Sequence, residues 1–338
     1  MLNRQHFDHT ENELPLEDEV STMGGSRLRE ETSALHHACR QELQKLPPGL
    51  CTRFAPSPTG YLHLGHAMSA LFVWGIAQVI QADVVLRIED HDSQRSQPEF
   101  IQAILEDLDW LGFHSYRSET SSQLPRQYLQ SEHPDRYREA AACLNAQRLL
   151  YSCCCSRAMI LDRNQRPAGA DLYYDGHCRT LNGPEADAGL RVIFNPASFS
   201  FKDLWLGEQS QTPATQCGDL LLRDRLGQWT YNFAVAVDDI DDHIDLIIRG
   251  QDLLDAAGRQ LQLRQLLGKT QPLIFLHHPL IWAAPAQKLS KRIGSEALRA
   301  LRLRGIKPGI VLGQAAQAAG LTNSVQDLSV QNLGDFFA

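Results

Sequence analysis

The hydrophobic pattern changes character along the 338-residue chain. Residues 1–50 are polar, carry a cluster of acids at Glu11, Glu13, Glu17, Asp18 and Glu19, and close on Leu46-Pro-Pro-Gly49. Such a stretch has little apolar surface to bury, so it reads as a flexible extension with a short helix over residues 28–43. Beyond it, strand and helix periods alternate. Residues 50–55 read as a strand, 65–81 as a long apolar helix, and 84–88 as a second strand ending in Glu89-Asp90. Ser96-Gln-Pro98-Glu99 has the form of a capping box. It opens a helix with Ile101, Ile104, Leu105, Leu108 and Leu111 on one face and Gly112 as the stop. A further helix is expected over 135–150. Strand, glycine turn, helix, strand is how a doubly wound parallel sheet begins.

The alternation breaks over 151–220, where cysteines, polar loops and short strands replace it. It resumes with an element start at 228–237, an apolar run at 244–248, a helix over 258–267, a strand over 272–276 and a helix over 296–303. The expected fold class is α/β, a doubly wound, Rossmann-like parallel sheet. Its expected parts are the extension 1–50, a first half 51–150, an insertion 151–220, a second half 221–285, and a loop with a short helical segment over 286–338.

Composition narrows the class. Hydrophobic content is 43%, ordinary for a chain that buries a full core. No apolar run reaches the roughly 18 residues of a membrane span, and no signal-peptide pattern opens the chain, so a cytoplasmic protein without membrane contact is expected. The net charge of −8 excludes a global nucleic-acid footprint. A local basic stretch remains: Lys288, Lys291, Arg292, Arg299, Arg302, Arg304 and Lys307 against the single acid Glu296. It is either a solvated helix face or a patch for RNA.

Two motifs carry the chemistry. Arg53-Phe-Ala-Pro-Ser-Pro-Thr-Gly-Tyr-Leu-His63-Leu-Gly-His66 joins a strand end to a helix start through a Pro/Gly turn. A helix N-terminus offers unpaired N–H groups and partial positive charge to phosphates, and His63 and His66 add donors there. Lys288-Leu-Ser-Lys-Arg292 is a compact basic turn whose lysines, three apart, fit a pyrophosphate leaving group. Arg53 and Arg249 are natural carboxylate partners because a guanidinium fork binds a carboxylate bidentately.

The chain has 8 cysteines, and Cys153, Cys154, Cys155 and Cys178 crowd together in sequence. In an intracellular chain this spacing points to metal rather than to disulfides. Cys153, Cys155 and Cys178 are candidate ligands of one structural zinc, with Cys154 pointing the other way in an extended segment. Tyr174 or His177 completes the set, and general zinc chemistry favours His177.

These motifs resemble those of class I aminoacyl-tRNA synthetases, the first its "HIGH" block and the second its "KMSKS" block. The wording is similar to the glutamyl branch in R-F-A-P-S-P-T-G-Y-L-H-L-G-H-A, L-R-I-E-D-H-D-S-Q-R, L-E-D-L-D-W-L-G-F, Q-S-E-H-P-D-R-Y and I-I-R-G-Q-D, in family order from about residue 51 to 292. The resemblance implies ATP with Mg2+ as substrate and His63, His66, Lys288 and Lys291 as catalytic groups. It implies ATP contacts at Pro56, Gly65, His66, Ser290 and Lys291. L-glutamate would bind Arg53, Ala55, Ser57, Glu89, Tyr231 and Arg249. Cys-x-Cys followed by Tyr-Asp-Gly-His-Cys resembles a short paralogue of this branch in which the tyrosine is the zinc ligand, so Tyr174 is expected on that ground. Only residues 293–338 follow Arg292, leaving no room for the helical anticodon-binding region of full-length members. Arg249-Gly-Gln-Asp-Leu-Leu-Asp departs from the Arg-Gly-Glu-Asp-His usual in them. Both features lean toward the paralogue, which transfers glutamate to queuosine in the anticodon loop of tRNA(Asp). A truncated enzyme charging the 3′ end of tRNA(Glu), a nucleotidyltransferase of the His-x-Gly-His type, and a non-catalytic RNA-binding protein are the competing expectations.

Overall fold

The computed structural model of the chain describes residues 25–92, 94–114, 127–165, 172–181, 187–284, 287–288 and 296–338, with backbone alone for 25–33, 282–284 and 287–288. Its first half runs α1 (Gly25–Leu43), β1 (Cys51–Phe54), α2 (Leu64–Ile80), β2 (Asp83–Ile88), α3 (Pro98–Leu111), β3 (Gln127–Leu129) and α4 (Pro134–Ala146). Strands β1, β2 and β3 pair in parallel, with Cys51 opposite Asp83 and Leu86 opposite Gln127. The middle of the chain supplies β4 (Leu150–Cys153), α5 (Arg157–Arg163), β5 (Gly189–Val192), β6 (Phe199–Asp203), β7 (Gly207–Gln211), α6 (Pro213–Gln216) and β8 (Leu220–Arg223). The remainder is α7 (Tyr231–Asp241), β9 (Leu246–Gly250), α8 (Ala256–Leu266), β10 (Ile274–His278), a small hairpin of β11 (Trp282–Ala284) and β12 (Gln287–Lys288), then α9 (Leu298–Leu303) and α10 (Pro308–Ala318).

Strand β9 pairs in parallel with β10, and β10 with β6, while β7 closes the edge antiparallel to β6. This second sheet abuts the first where β9 meets β1: the Asp245 N–H donates to Cys51 O at 2.9 Å, and the Cys51 N–H to Asp245 Oδ2 at 3.0 Å. The spatial order is therefore β3-β2-β1, then β9-β10-β6-β7. The chain winds outward in both directions from the β1/β9 junction, the crevice where open parallel sheets bind ligands at the carboxyl ends of their strands. Residues 199–211 fall inside the segment expected as an insertion, yet they belong to this sheet. Phe201 and Asp203 of β6 are buried against β10. The rest of that segment forms the antiparallel sheet β4-β5-β8.

Helix α2 is apolar on nearly every side and lies in the largest core cluster, with Met68, Leu71, Phe72 and Ile76 fully buried. A helix hydrophobic all round must be covered all round. The C-terminal turn covers one flank: a Cβ on Gly75 would meet the Phe337 ring at 2.6 Å, so only glycine fits there. Helix α1 covers another flank, burying Cys39 and Leu43, and the His36 ring donates Nε2–H to Phe336 O at 2.7 Å. The described part of the 1–50 extension is thus a docked helix rather than a free arm.

The capping box expected at Ser96 does not form. Pro98 takes the first helical position of α3, which makes Gln97 the cap residue, and Ser96 Oγ is buried without a hydrogen-bond partner. Within the basic stretch three of the four described side chains are paired: Arg302 donates to Asp107 Oδ1 at 3.0 Å, Arg304 to Glu296 at 2.7 Å, and Lys307 lies 3.7 Å from Asp327. Arg299 lies over the Tyr61 ring, 5.3 Å from its centroid. Among the described residues no helix is long and apolar enough to cross a membrane.

Candidate active site

A cavity of about 590 Å³ opens at the β1/β9 junction. Arg53, Ala55, Pro56, Ser57, His63, Gly65, His66, Glu89, Tyr231 and Arg249 all line it. Residues more than 180 positions apart in sequence thus meet in one crevice. Lys288 is described in backbone alone, paired with Trp282 in the hairpin, and Ser290, Lys291 and Arg292 lie outside the described residues. Both flanks of that basic turn reach the cavity. Leu280 and Ile281 line it, and Ala297 bridges His63 in an antiparallel pair, with the Leu298 N–H donating to Leu62 O at 2.8 Å.

The two histidines are built into the start of α2. His63 is the cap residue; its Nδ1 accepts the Gly65 N–H at 3.0 Å, and the His63 N–H donates to His66 Nδ1 at 3.1 Å. Because each Nδ1 accepts a backbone proton, each neutral ring carries its own proton on Nε2. The motif therefore caps its helix and fixes the tautomer of both rings at once. Gly65 is needed for this packing, since a Cβ there would sit 2.9 Å from His63 Cε1. The preceding Pro-Ser-Pro turn is tied to the end of β2 by the Glu89 N–H donating to Pro56 O at 3.0 Å.

Behind the cavity lies a buried network that sequence reasoning did not anticipate. Helix α7 places Tyr231 at the cavity and, two turns on, Asp238, Asp239 and Asp242 beneath it. Arg53 donates Nε–H to Asp239 Oδ1 at 3.3 Å and Nη1–H to Ile248 O at 3.2 Å. Fully buried Arg87 joins Asp239 at 2.5 Å and Asp242 at 3.0 Å. Burial pushes the Asp239 carboxyl up, but Arg87 and Arg53 outweigh it and hold the group below its usual range. Burial raises Glu89 above its ordinary value, with Arg87, His91 and Arg53 opposing. Burial also lowers Arg249, with Tyr231 opposing the shift and Arg53 adding to it. Arg249 Nε donates to His277 Nε2 at 3.0 Å and Nη1 to Gln260 Oε1 at 2.8 Å, while among the described residues the buried Nη2 has no partner in full hydrogen-bond geometry, with the Tyr231 hydroxyl as its polar neighbour. An unsatisfied buried guanidinium nitrogen facing a cavity is a ready site for an anionic ligand. A weak signal for this network lies in the run Asp238-Asp239-Ile-Asp241-Asp242 on an otherwise apolar helix.

The comparisons agree with this geometry. Residues 49–310 match the family described as tRNA synthetases class I (E and Q), catalytic domain. The chain belongs to this class I synthetase family. Its fold is the family's α/β catalytic domain, and it is a ligase of the ATP-using aminoacyl-tRNA synthetase kind. The chain is similar to a glutamyl-Q tRNA(Asp) synthetase of Symbiobacterium thermophilum, with 35% identity across 84% of this chain and 91% of the relative. It is similar to another protein of that name from Cupriavidus metallidurans, with 40% identity across 80% of this chain and 88% of the relative. Among solved structures, a glutamate tRNA ligase from Elizabethkingia meningosepticum in complex with its amino acid superposes with a TM-score of 0.67. It shares 26% identity across 84% of this chain and 64% of that one.

Away from the cavity, Cys153, Cys155 and Cys178 bring their sulfurs within 4.8 Å of one another. Tetrahedral Zn–S bonds of about 2.3 Å set ligand sulfurs about 3.8 Å apart, and Cys155 and Cys178 are 3.5 Å apart here. The buried Tyr174 hydroxyl lies 3.3 Å from Cys153 Sγ and accepts the Cys178 N–H at 2.9 Å. His177 is exposed and outside the cluster. Cys154 is also exposed, with its sulfur 3.9 Å from that of Cys178. Two cations face the sulfurs: Arg191 Nε donates to Cys153 at 3.2 Å and Arg163 Nη2 to Cys155 at 3.5 Å. The Arg191 guanidinium also lies 3.7 Å from the Tyr174 ring centroid. This donor set, with positive charge around it, fits a thiolate-bound divalent metal.

Proposed function

We propose that the chain activates L-glutamate with ATP as glutamyl-adenylate and transfers it to queuosine in the anticodon loop of tRNA(Asp). The observation that carries the first step is the meeting of Arg53, Glu89, Tyr231 and Arg249 beside the histidine-capped start of α2. A substrate with two carboxylates and one ammonium needs two cations and one anion, and the cavity supplies that set. A carboxylate oxygen of glutamate attacks the α-phosphorus of ATP, the bond to the β-phosphate breaks, and pyrophosphate leaves with Mg2+. His63 and His66, each with its proton on Nε2, donate to the phosphate oxygens as charge builds, an effect of about 3–4 kcal/mol per preorganised donor. Pro56 and Gly65 form the floor under the nucleotide. By their motif, Lys288 and Lys291 would neutralise the leaving pyrophosphate and Ser290 would donate a hydrogen bond to it. Ala55 and Ser57 border the amino acid.

The relatives support this acceptor. The chain spans 91% and 88% of two proteins named glutamyl-Q tRNA(Asp) synthetase, against 64% of the superposed glutamate tRNA ligase. A hydroxyl of the queuosine diol attacks the activated carbonyl and AMP leaves. One structural zinc would be held by Cys153, Cys155, Cys178 and Tyr174. When bound it cross-links the 150–180 region, and it takes no part in the transfer. The two steps are tested separately. Glutamate-dependent ATP–pyrophosphate exchange without tRNA supports the activation step, and its absence would remove it. Labelled glutamate recovered in the anticodon fragment supports the acceptor, and label on the terminal adenosine would remove that.

A further inference from the structure

The two arginines of the cavity are held in different ways. Arg53 is paired with a carboxylate, Asp239, that it shares with Arg87. Among the described residues Arg249 forms no ion pair with a carboxylate: its Nε and Nη1 are taken by the imidazole of His277 and the amide of Gln260. The carboxylate stands one residue further back. His277 is fully buried, its Nδ1 lies 2.5 Å from Asp203 Oδ2, and Asp203 also accepts the backbone N–H groups of Trp205 and Leu206 at 2.9 Å.

The proton positions follow from the partners. An arginine in a protein only donates, so His277 Nε2 must accept and carries no proton. The ring proton therefore sits on Nδ1 and donates to Asp203. Asp203 draws on that proton and makes Nε2 a stronger acceptor for Arg249, as the outer partner of a metal-bound histidine strengthens its ligand. A carboxylate placed directly against Arg249 would orient it equally well, but it would also neutralise the charge that a substrate carboxylate needs. An apolar residue would leave Nε–H buried and bare. An imidazole backed by a carboxylate orients the guanidinium and leaves its charge available.

We infer that Asp203 and His277 are positioning residues that aim an uncompensated Arg249 at a substrate carboxylate, and so favour an acidic amino acid over its amide. This rests on the reading of the cavity as a glutamate-activation site. The test is steady-state ATP–pyrophosphate exchange with glutamate and with glutamine, on the full chain and on His277→Ala, His277→Gln and Asp203→Asn, each checked by thermal melting. In His277→Ala the KM for glutamate rises about 10- to 100-fold, while kcat and the KM for ATP stay within about twofold, and the preference for glutamate over glutamine shrinks in proportion. His277→Gln, whose side-chain oxygen reaches toward Arg249 Nε, recovers most of the loss. Asp203→Asn gives a smaller effect in the same direction. An unchanged KM for glutamate in a folded His277→Ala, or equal losses in the glutamate and ATP parameters, would overturn the inference. So would a His277→Gln variant that melts like the parent yet shows no recovery. A parent chain without glutamate-dependent exchange would instead overturn the reading of the cavity itself, so the two failures are distinguishable.

Discussion

The cavity and the cysteine cluster are assembled by opposite means. The cysteine cluster is local: its candidate ligands lie between residues 153 and 178, on the end of β4 and the turns that follow. The cavity is topological: Arg53, Glu89, Tyr231 and Arg249 meet only because β1 and β9 are neighbours in space. A local cluster of thiols can be tightened by a metal, beside the Arg163–Asp175 and Arg179–Asp219 pairs and the Tyr174 N–H bond to Cys217 O that also order it. A topological one is held by the sheet and by buried carboxylates reaching up from α7. The first should therefore respond to metal removal and the second to loss of single supporting charges.

The largest effect should come from the cavity. Replacing Arg249 with Gln removes a buried cation that lines the cavity and, on the proposed reading, receives a substrate carboxylate. Glutamate-dependent exchange should fall on the order of 100-fold or more, with the KM for ATP little changed. A loss spread equally over both substrates would show that Arg249 acts only on the fold. Next comes Gly65→Ala, which pushes the His63 ring off its cap position because a Cβ would lie 2.9 Å from it. Turnover should drop about 10- to 100-fold without a change in the KM for glutamate, which separates the nucleotide end of the cavity from the amino-acid end.

A pH profile gives a smaller effect. On the proposed reading Glu89 must be ionised to receive the substrate ammonium, and burial raises it above its ordinary 4.5. The ionised form is lost as pH falls through that raised value, so kcat/KM for glutamate should decline on the acid side at a pH above 4.5. Glu89→Gln should lower kcat/KM at neutral pH and remove that limb. The smallest effect on activation should follow Cys178→Ser. Zinc content by metal analysis should fall from near one per chain to well below it, and the melting temperature should drop. Exchange should stay within about threefold of the parent. A collapse of exchange in that variant would break the contrast between the two regions.

What could be read from sequence divides along the same line. Strands β1, β2, β9 and β10 followed from hydrophobic period and turn residues, and the cavity residues Arg53, Ala55, Pro56, Ser57, His63, Gly65, His66, Glu89, Tyr231 and Arg249 from two short motifs and a family resemblance. Their supports did not. Asp239, Arg87, Asp203, His277 and Gln260 act through partners distant in sequence, and no local pattern announces a pairing set by which strands are adjacent. The Ser96 capping box failed for a local reason, because Pro98 at the first helical position moved the cap by one residue. The His63 and His66 cap, an alternative reading of His-x-Gly-His as a helix start, has a complementary cause: histidine is not a customary cap residue, yet its Nδ1 serves when the next turn supplies a backbone N–H. In the cysteine cluster, chemistry alone favoured His177, whereas the fold turns Tyr174 inward and leaves His177 exposed.

The central claim is that this cavity loads glutamate onto the anticodon loop of a tRNA. The most direct measurement incubates the chain with ATP, labelled glutamate and queuosine-containing tRNA(Asp), cleaves the tRNA, and locates the label. Label is expected in the anticodon-loop fragment, with none on tRNA(Asp) lacking queuosine. Label on the terminal adenosine, or equal labelling of both tRNAs, would contradict it.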